Sequence, residues 1–381
     1  MALAIPTTNY CENVTLNGIL LLCILGSLYI FHITGIPGTA LLELLIVIST
    51  IVLIFTQKVT LVSLLIAMLS ISYISYSLFY VGFKTHTNIL DFIQAYKSFY
   101  YLILMSFFYK RNIFSRRAIE VLFKWLVLLF FIKYSMDKFV VGITRPTVLI
   151  ENNFELIMLI MLYYFINIIK KEPVMINTGM MMLICVISGS RSSLLALMIA
   201  ILFSLDRTIN FKKLIYILLI PIAGLAVFAI FQERLSHDGY TSYEQIDRFR
   251  FLLEFLSSTS NWPWWRFVIG AEPLTPLTPL SCYNLSSYVD LFSYSGDGTC
   301  YSVILHSFLL RVIYDHGLLG FMFLMGVVTI YLNKFSLKAK ICILLIIIST
   351  ALSVSSLNNV YVALAIIMYI GIDEKYIEMK K

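Results

Sequence analysis

A dozen apolar stretches joined by short charged turns fill most of this chain, and nothing else in it constrains the fold as tightly. They run Leu16–Ile33, Ala40–Thr56, Val59–Val81, Ile89–Tyr109, Ala118–Val141, Asn153–Ile169, Val174–Ile187, Ser192–Leu205, Leu214–Phe231, Phe308–Leu332, Ile341–Val354 and Val360–Ile372. Backbone polar groups that leave water must be paired within their own segment, and a helix does this. Charged residues make up 13% of the 381, with mean hydropathy +0.89, against about 25% charge in soluble domains. The expected fold is an all-α integral membrane protein with about 12 transmembrane helices. Leu16–Ile33 has no small-residue cleavage site after it and reads as the first span rather than a removed signal.

Alternate turns divide the basic residues unevenly, sixteen on one side and seven on the other. The richer side is expected to be cytoplasmic, and both chain ends fall with it. Residues 1–231 then form a bundle of nine spans, 232–305 a large outer loop, and 306–381 the last three spans. The net charge of +7 is spent at span ends, so the partner it implies is the lipid bilayer and not nucleic acid. Six cysteines form no CxxC or Cys/His cluster, so no metal site is expected. Cys282 and Cys300 share the outer loop and are candidates for a disulfide.

Six of the seven outer basic residues are arginine: Arg145, Arg191, Arg234, Arg248, Arg250 and Arg266, with Lys84 the exception. Topology is indifferent to the choice of cation. Phosphate recognition is not, because a planar guanidinium grips phosphate oxygens in a fork. The plainer reading is that each arginine pairs with a nearby acid. Arg191 lies in the tight turn Ser188–Ser193, where Ser190 and Ser192 can cap the next helix and its N-terminus suits an anion. Arg145 precedes the segment Glu151–Glu155, acids that enter an apolar stretch either for function or as helix-start residues. Arg248 and Arg250 lie two apart on an amphipathic helix, so only one can point squarely at a site. Trp262, Trp264 and Trp265 fit an interfacial belt or, alternatively, a platform for sugar rings. His306 opens the tenth span, where it is either a cap or a proton acceptor near neutral pH. Arg311 and Asp315 beyond it can pair at one helical turn.

His306-Ser307, nine residues, Gly317, two residues and Gly320 form a pattern that resembles the histidine-glycine motif of the O-antigen ligase and polymerase superfamily. Ser190-Arg191-Ser192-Ser193-Leu194 resembles the short arginine motif of that family. Arg250, ahead of Ile269-Gly270, is similar to its second arginine, with Arg248 an equal claimant, and Arg145 with the Glu151–Glu155 segment is similar to an outer loop of the polymerases. The resemblance covers the topology of most of the chain. It implies a metal-independent glycosyltransferase without cofactor in the bacterial inner membrane, acting on its periplasmic face. The donor would be an undecaprenyl-pyrophosphate-linked oligosaccharide, and a chain-length regulator protein a possible partner. Arg145, Arg191, Arg248, Arg250 and Glu151 would hold pyrophosphate or substrate, and His306 would act as base. A polymerase and a ligase share these residues, and the Glu151–Glu155 segment favours the polymerase. A flippase would place charges along a central cavity and lack a large outer loop.

Overall fold

The structure, a computed structural model, describes residues 7–85, 87–149, 151–170, 174–205, 247–352 and 356–372. Among these the regular elements are helices, and the one extended pairing is an isolated bridge between Phe114 and Ile372. The first group comprises α1 (Thr7–Ser27), α2 (Ile30–Thr34), α3 (Gly38–Thr56), α4 (Leu61–Tyr80), α5 (Ile89–Ser106), α6 (Arg116–Ser135), α7 (Asn152–Lys170), α8 (Met175–Ser188) and α9 (Arg191–Ser204). The loop region holds α10 (Asp247–Thr259), α11 (Trp264–Ile269) and α12 (Pro279–Asn284). The chain then continues through α13 (Phe308–Tyr331), α14 (Leu337–Ala351) and α15 (Val360–Ile370). Five stretches, Tyr10–Ser27, Gly38–Thr56, Leu61–Lys84, Asn152–Lys170 and Phe308–Tyr331, are long and apolar enough to cross a membrane, and α8, α9 and α15 are shorter apolar helices. The chain is an all-α, multi-pass membrane protein. The expected ninth span, Leu214–Phe231, and Arg234 lie outside the described residues.

Two spans differ from the hydropathy reading. The first helix begins at Thr7, well before Leu16, and so takes in Glu12, whose carboxylate accepts from the Ser115 amide (2.7 Å) and hydroxyl (2.8 Å). It stops at Ser27 because Tyr29 turns left-handed (φ 58°). The tenth expected span is a helix interrupted at Gly317, whose backbone is non-helical (φ 66°, ψ −176°).

Two helices form the centre. Every residue of α15 is buried, as are most of α7. A helix apolar on all sides can satisfy that pattern only in the interior. Helix α15 packs on α7, α5 and α3, while α14 lies along α9 and α1 bridges α3 and α6. Buried tyrosines spend their hydroxyls on backbone carbonyls, Tyr369 on Met161 (2.6 Å) and Tyr331 on Leu102 (2.8 Å), which removes the cost of burying them unpaired.

The loop has its own small core. Phe251 and Phe255 of α10 meet Leu277, Leu285, Phe292 and Ile304. Asp91 in the first turn of α5 latches it to the bundle by accepting from Ser293 Oγ (2.9 Å) and the Tyr294 amide (3.0 Å). A disulfide joins Cys282 to Cys300, 18 residues apart. Closing a loop of that length stabilises the folded state by about 3 kcal/mol. Cys282→Ser is therefore expected to speed proteolytic cleavage between residues 277 and 305 by roughly 100-fold, measured on purified protein. Cleavage at the unmodified rate would show that the bridge contributes nothing to loop order.

Candidate functional site

Three arginines from three separate elements line one small polar cavity. Arg145 comes from the loop after α6, Arg191 opens α9, and Arg248 lies in the first turn of α10. Asn152 and Asn153 at the start of α7 stand in the wall with Gly189, Ser190 and Ser192, and among the described residues no carboxylate lines it. Arg145 and Arg191 lie close enough for their charges to disfavour each other. The local sequence builds this place. Gly189 ends α8 left-handed (φ 63°), and Ser190 caps α9 by accepting from the Ser193 amide (3.3 Å). The Ser190 hydroxyl donates to Asn153 Oδ1 (2.5 Å), so the Ser193 hydroxyl, 2.7 Å away, must donate back to it. Asn152 donates to the Ser188 carbonyl (2.9 Å). The first turn of α9, with its N–H groups and positive dipole end, faces the same space. The cavity volume is about 30 Å³, room for about one water molecule. Arg145 and Arg248 are the exposed members of its wall.

The paired arginines of α10 separate as their spacing requires. Arg248 faces the cavity, whereas Arg250 donates to the Asn284 carbonyl and ties α10 to α12. The same clasp is completed by Asn284 donating to Glu254 (2.9 Å). Glu151 is half-buried beside the cavity and receives a long hydrogen bond from Asn153 (3.4 Å), but it does not line the space. Glu155 is fully buried and accepts from the Val148 and Leu149 amides.

His306 ends the turn Ser302–Leu305 in the left-handed region (φ 45°), directly before the cap residue Ser307. Its ring lies 5.5 Å from that of Phe251. Crowding by the loop lowers its pKa below the ordinary 6.5. The Arg311 and Arg248 charges push the same way, and Asp247 opposes them. Arg248 thus belongs to the cavity wall and to the electrostatic surroundings of the histidine. The helix that follows is sheathed by the loop. The Ala271 amide donates to the Tyr314 carbonyl (2.7 Å) that the break at Gly317 leaves free, Ser302 donates to Asp315 (2.5 Å), and Tyr314 donates to the Pro276 carbonyl (2.8 Å). Arg311 and Asp315, expected to pair, take other hydrogen-bond partners instead. Arg311 donates to the Gln94 carbonyl (3.1 Å) and Asp315 accepts from Ser302.

No family model, curated protein or solved structure matches this chain.

The glycines of the His306–Gly320 pattern have a geometric reason in the chain itself. A Cβ on Gly317 would stand 2.3 Å from the Val268 carbonyl oxygen and 2.4 Å from the Gly270 nitrogen, and one on Gly320 2.4 Å from the Cβ of His316. The tryptophans divide. Trp262 packs inward on Tyr314 (5.0 Å) and Phe267 (5.5 Å), while Trp264 and Trp265 are exposed. Below them opens an apolar cleft of about 400 Å³ between α4, α5, α11 and α13, lined by Leu69, Phe99, Ile269, Leu319 and Phe323, with Tyr73 and His316 in its wall. His316 Nε2 lies 3.2 Å from the Ala95 carbonyl, which can only accept, so Nδ1 takes the Tyr73 hydroxyl proton (2.8 Å). With both nitrogens engaged, His316 is a fixed structural imidazole.

The hydropathy reading missed Asn152 and Asn153 as wall residues and missed the cleft entirely. Two adjacent amides at the head of an apolar run were the available signal for the former. The cleft comes from the interruption of α13, which composition does not reveal.

Proposed function

We propose that this chain is an O-antigen polymerase of the bacterial inner membrane. It would have twelve spans, both ends in the cytoplasm and residues 232–305 in the periplasm. The observation that carries this reading is the meeting of Arg145, Arg191 and Arg248, from three separate elements, at one cavity. Helices α8 and α9, of 14 residues each, are about 21 Å long, short of the roughly 30 Å hydrocarbon core. Their connecting turn, with Arg191, would sit below the outer surface, where a lipid headgroup reaches.

In this reading the donor is a growing glycan on undecaprenyl pyrophosphate, and the acceptor is a sugar hydroxyl of a new lipid-linked repeat unit. The acceptor oxygen attacks the anomeric carbon of the donor sugar while His306 takes its proton. The bond from that carbon to the pyrophosphate oxygen breaks, and its electron pair leaves with undecaprenyl pyrophosphate. Arg145, Arg191 and Arg248 stabilise the charge that develops there. The apolar cleft along α13 would take hydrocarbon from the lipid carriers.

Arg191→Ala in a strain lacking the native gene is expected to lower transfer about 100-fold and leave lipid A-core capped by at most one repeat unit. Arg250→Ala, which touches only Asn284 in the structure's hydrogen bonding, keeps the ladder of longer chains. Loss of the single-repeat caps points to transport, and polymer held on the lipid carrier points to ligation. A normal ladder from Arg191→Ala overturns the site.

A further inference from the structure

We infer that Glu155 is the positioning residue of the arginine cavity, setting where Arg145 stands through the backbone of residues 143–149. The inference rests on the reading of the cavity as an anion site and concerns a residue that does not line it.

The segment from Ile143 to Leu149 is a strap fixed at both ends. At its start the amides of Gly142 and Ile143 donate to the Asp137 carbonyl, the latter at 2.8 Å. Asp137 itself is buried and held by Lys133 Nζ (2.7 Å) and the Tyr29 hydroxyl. At its end Glu155 Oε2 accepts from the Val148 amide (2.8 Å) and the Tyr134 hydroxyl (3.3 Å), while Oε1 accepts from the Leu149 amide (2.6 Å). The Val148 carbonyl rests on α1 at Gly26, where a Cβ would stand 2.4 Å from its oxygen. The peptide at Val148 is therefore gripped on its N–H side by Glu155 and on its C=O side by Gly26.

Arg145 is, with Thr144, one of the two exposed members of this strap, between its fixed ends. An arginine on an unfixed loop would have to be ordered on binding, which weakens any anion contact it makes. A carboxylate suits the anchoring position because it only accepts, and it has capacity for two amides and a hydroxyl with charge assistance. Glutamine has nearly the same shape but sets an NH₂ against one of those donors. The same helix turn that carries Glu155 also presents Asn152 and Asn153 to the cavity, so one element sets both walls.

The test is inorganic pyrophosphate binding to the full chain in detergent, by titration calorimetry, for wild type, Arg145→Ala, Glu155→Gln, Gly26→Ala and the Arg145→Ala/Glu155→Gln double variant. Arg145→Ala is expected to weaken binding by about tenfold or more. Glu155→Gln should weaken it to a similar degree, and the double variant should bind no more weakly than Arg145→Ala alone, because both changes remove one contact. Additive losses, or Glu155→Gln binding like wild type, would overturn the inference. If Glu155→Gln fails to fold, Gly26→Ala moves the same strap from the opposite side, and wild-type binding by it overturns the inference. Wild-type binding by Arg145→Ala is a separate outcome, because it sinks the anion reading of the cavity itself.

Discussion

His306→Ala is expected to slow glycan transfer by about 1,000-fold while the protein remains folded. A positioned base contributes about 10²–10⁴-fold when its proton transfer occurs in the transition state. The side chain caps no helix and lies at the surface of the loop junction, so its removal leaves no buried hole. The left-handed backbone there favours asparagine over alanine, which makes His306→Asn the better control for folding. Both variants should lose activity alike. Acidity gives a second handle. Crowding by the surrounding loop, which takes water from one side of the exposed ring, and then the Arg311 charge hold His306 below its ordinary value; Asp247 pulls it back up and Arg248 adds to the lowering. In the proposed function the neutral ring is the active form, so kcat/KM should be flat above pH 6.5 and fall as pH drops through the lowered value. Asp247→Asn removes the opposing charge and should carry that acid limb to still lower pH. An acid limb above pH 6.5 in the wild type, or transfer by His306→Asn at the normal rate, would remove His306 from the chemistry.

Gly317→Ala should cost roughly 3–5 kcal/mol and strip the loop from α13. A backbone at φ 66°, ψ −176° belongs to a region that glycine alone occupies readily. The new methyl would also overlap the Val268 carbonyl and the backbone at Ile269 and Gly270, none of which is a flexible side-chain end. Strain of about 1–3 kcal/mol from each source gives about 2–6 kcal/mol, and about 3–5 kcal/mol is its middle range. Gly326→Ala in the same helix is the control, since nothing lies within 4 Å of its added atom. Thermal unfolding in detergent should show a lower midpoint for the first and little change for the second. Equal midpoints would mean that the close approach of α11 to α13 is not fixed by glycine.

Hydropathy located most of the helices because membrane-like segments announce themselves by composition, and α3 and α4 are the strongest cases among the long helices. It could not place Gly317 as a break, since one glycine inside an apolar run is compatible with continuous helix. The choice between Arg248 and Arg250 was open for a similar reason. Their spacing says they diverge, but only the fold of α12, which brings the Asn284 carbonyl to Arg250, says which way each one goes. Glu155 was visible as an acid at the head of a span. That it serves two backbone amides seven and six residues earlier in the chain depends on how the preceding loop turns back, which no periodicity encodes.

The route by which the cavity is assembled has a consequence for biogenesis. Arg145, Arg191 and Arg248 leave the ribosome far apart in time, and His306 follows them all. The loop that carries Arg248 is fastened by contacts to residues made later, among them Tyr314 and Asp315. A nascent chain that ends after α9 therefore carries Arg145 and Arg191 but still lacks Arg248. On the proposed function, the cavity and His306 come together only once α13 has been made, so a translation product truncated before it would be inert.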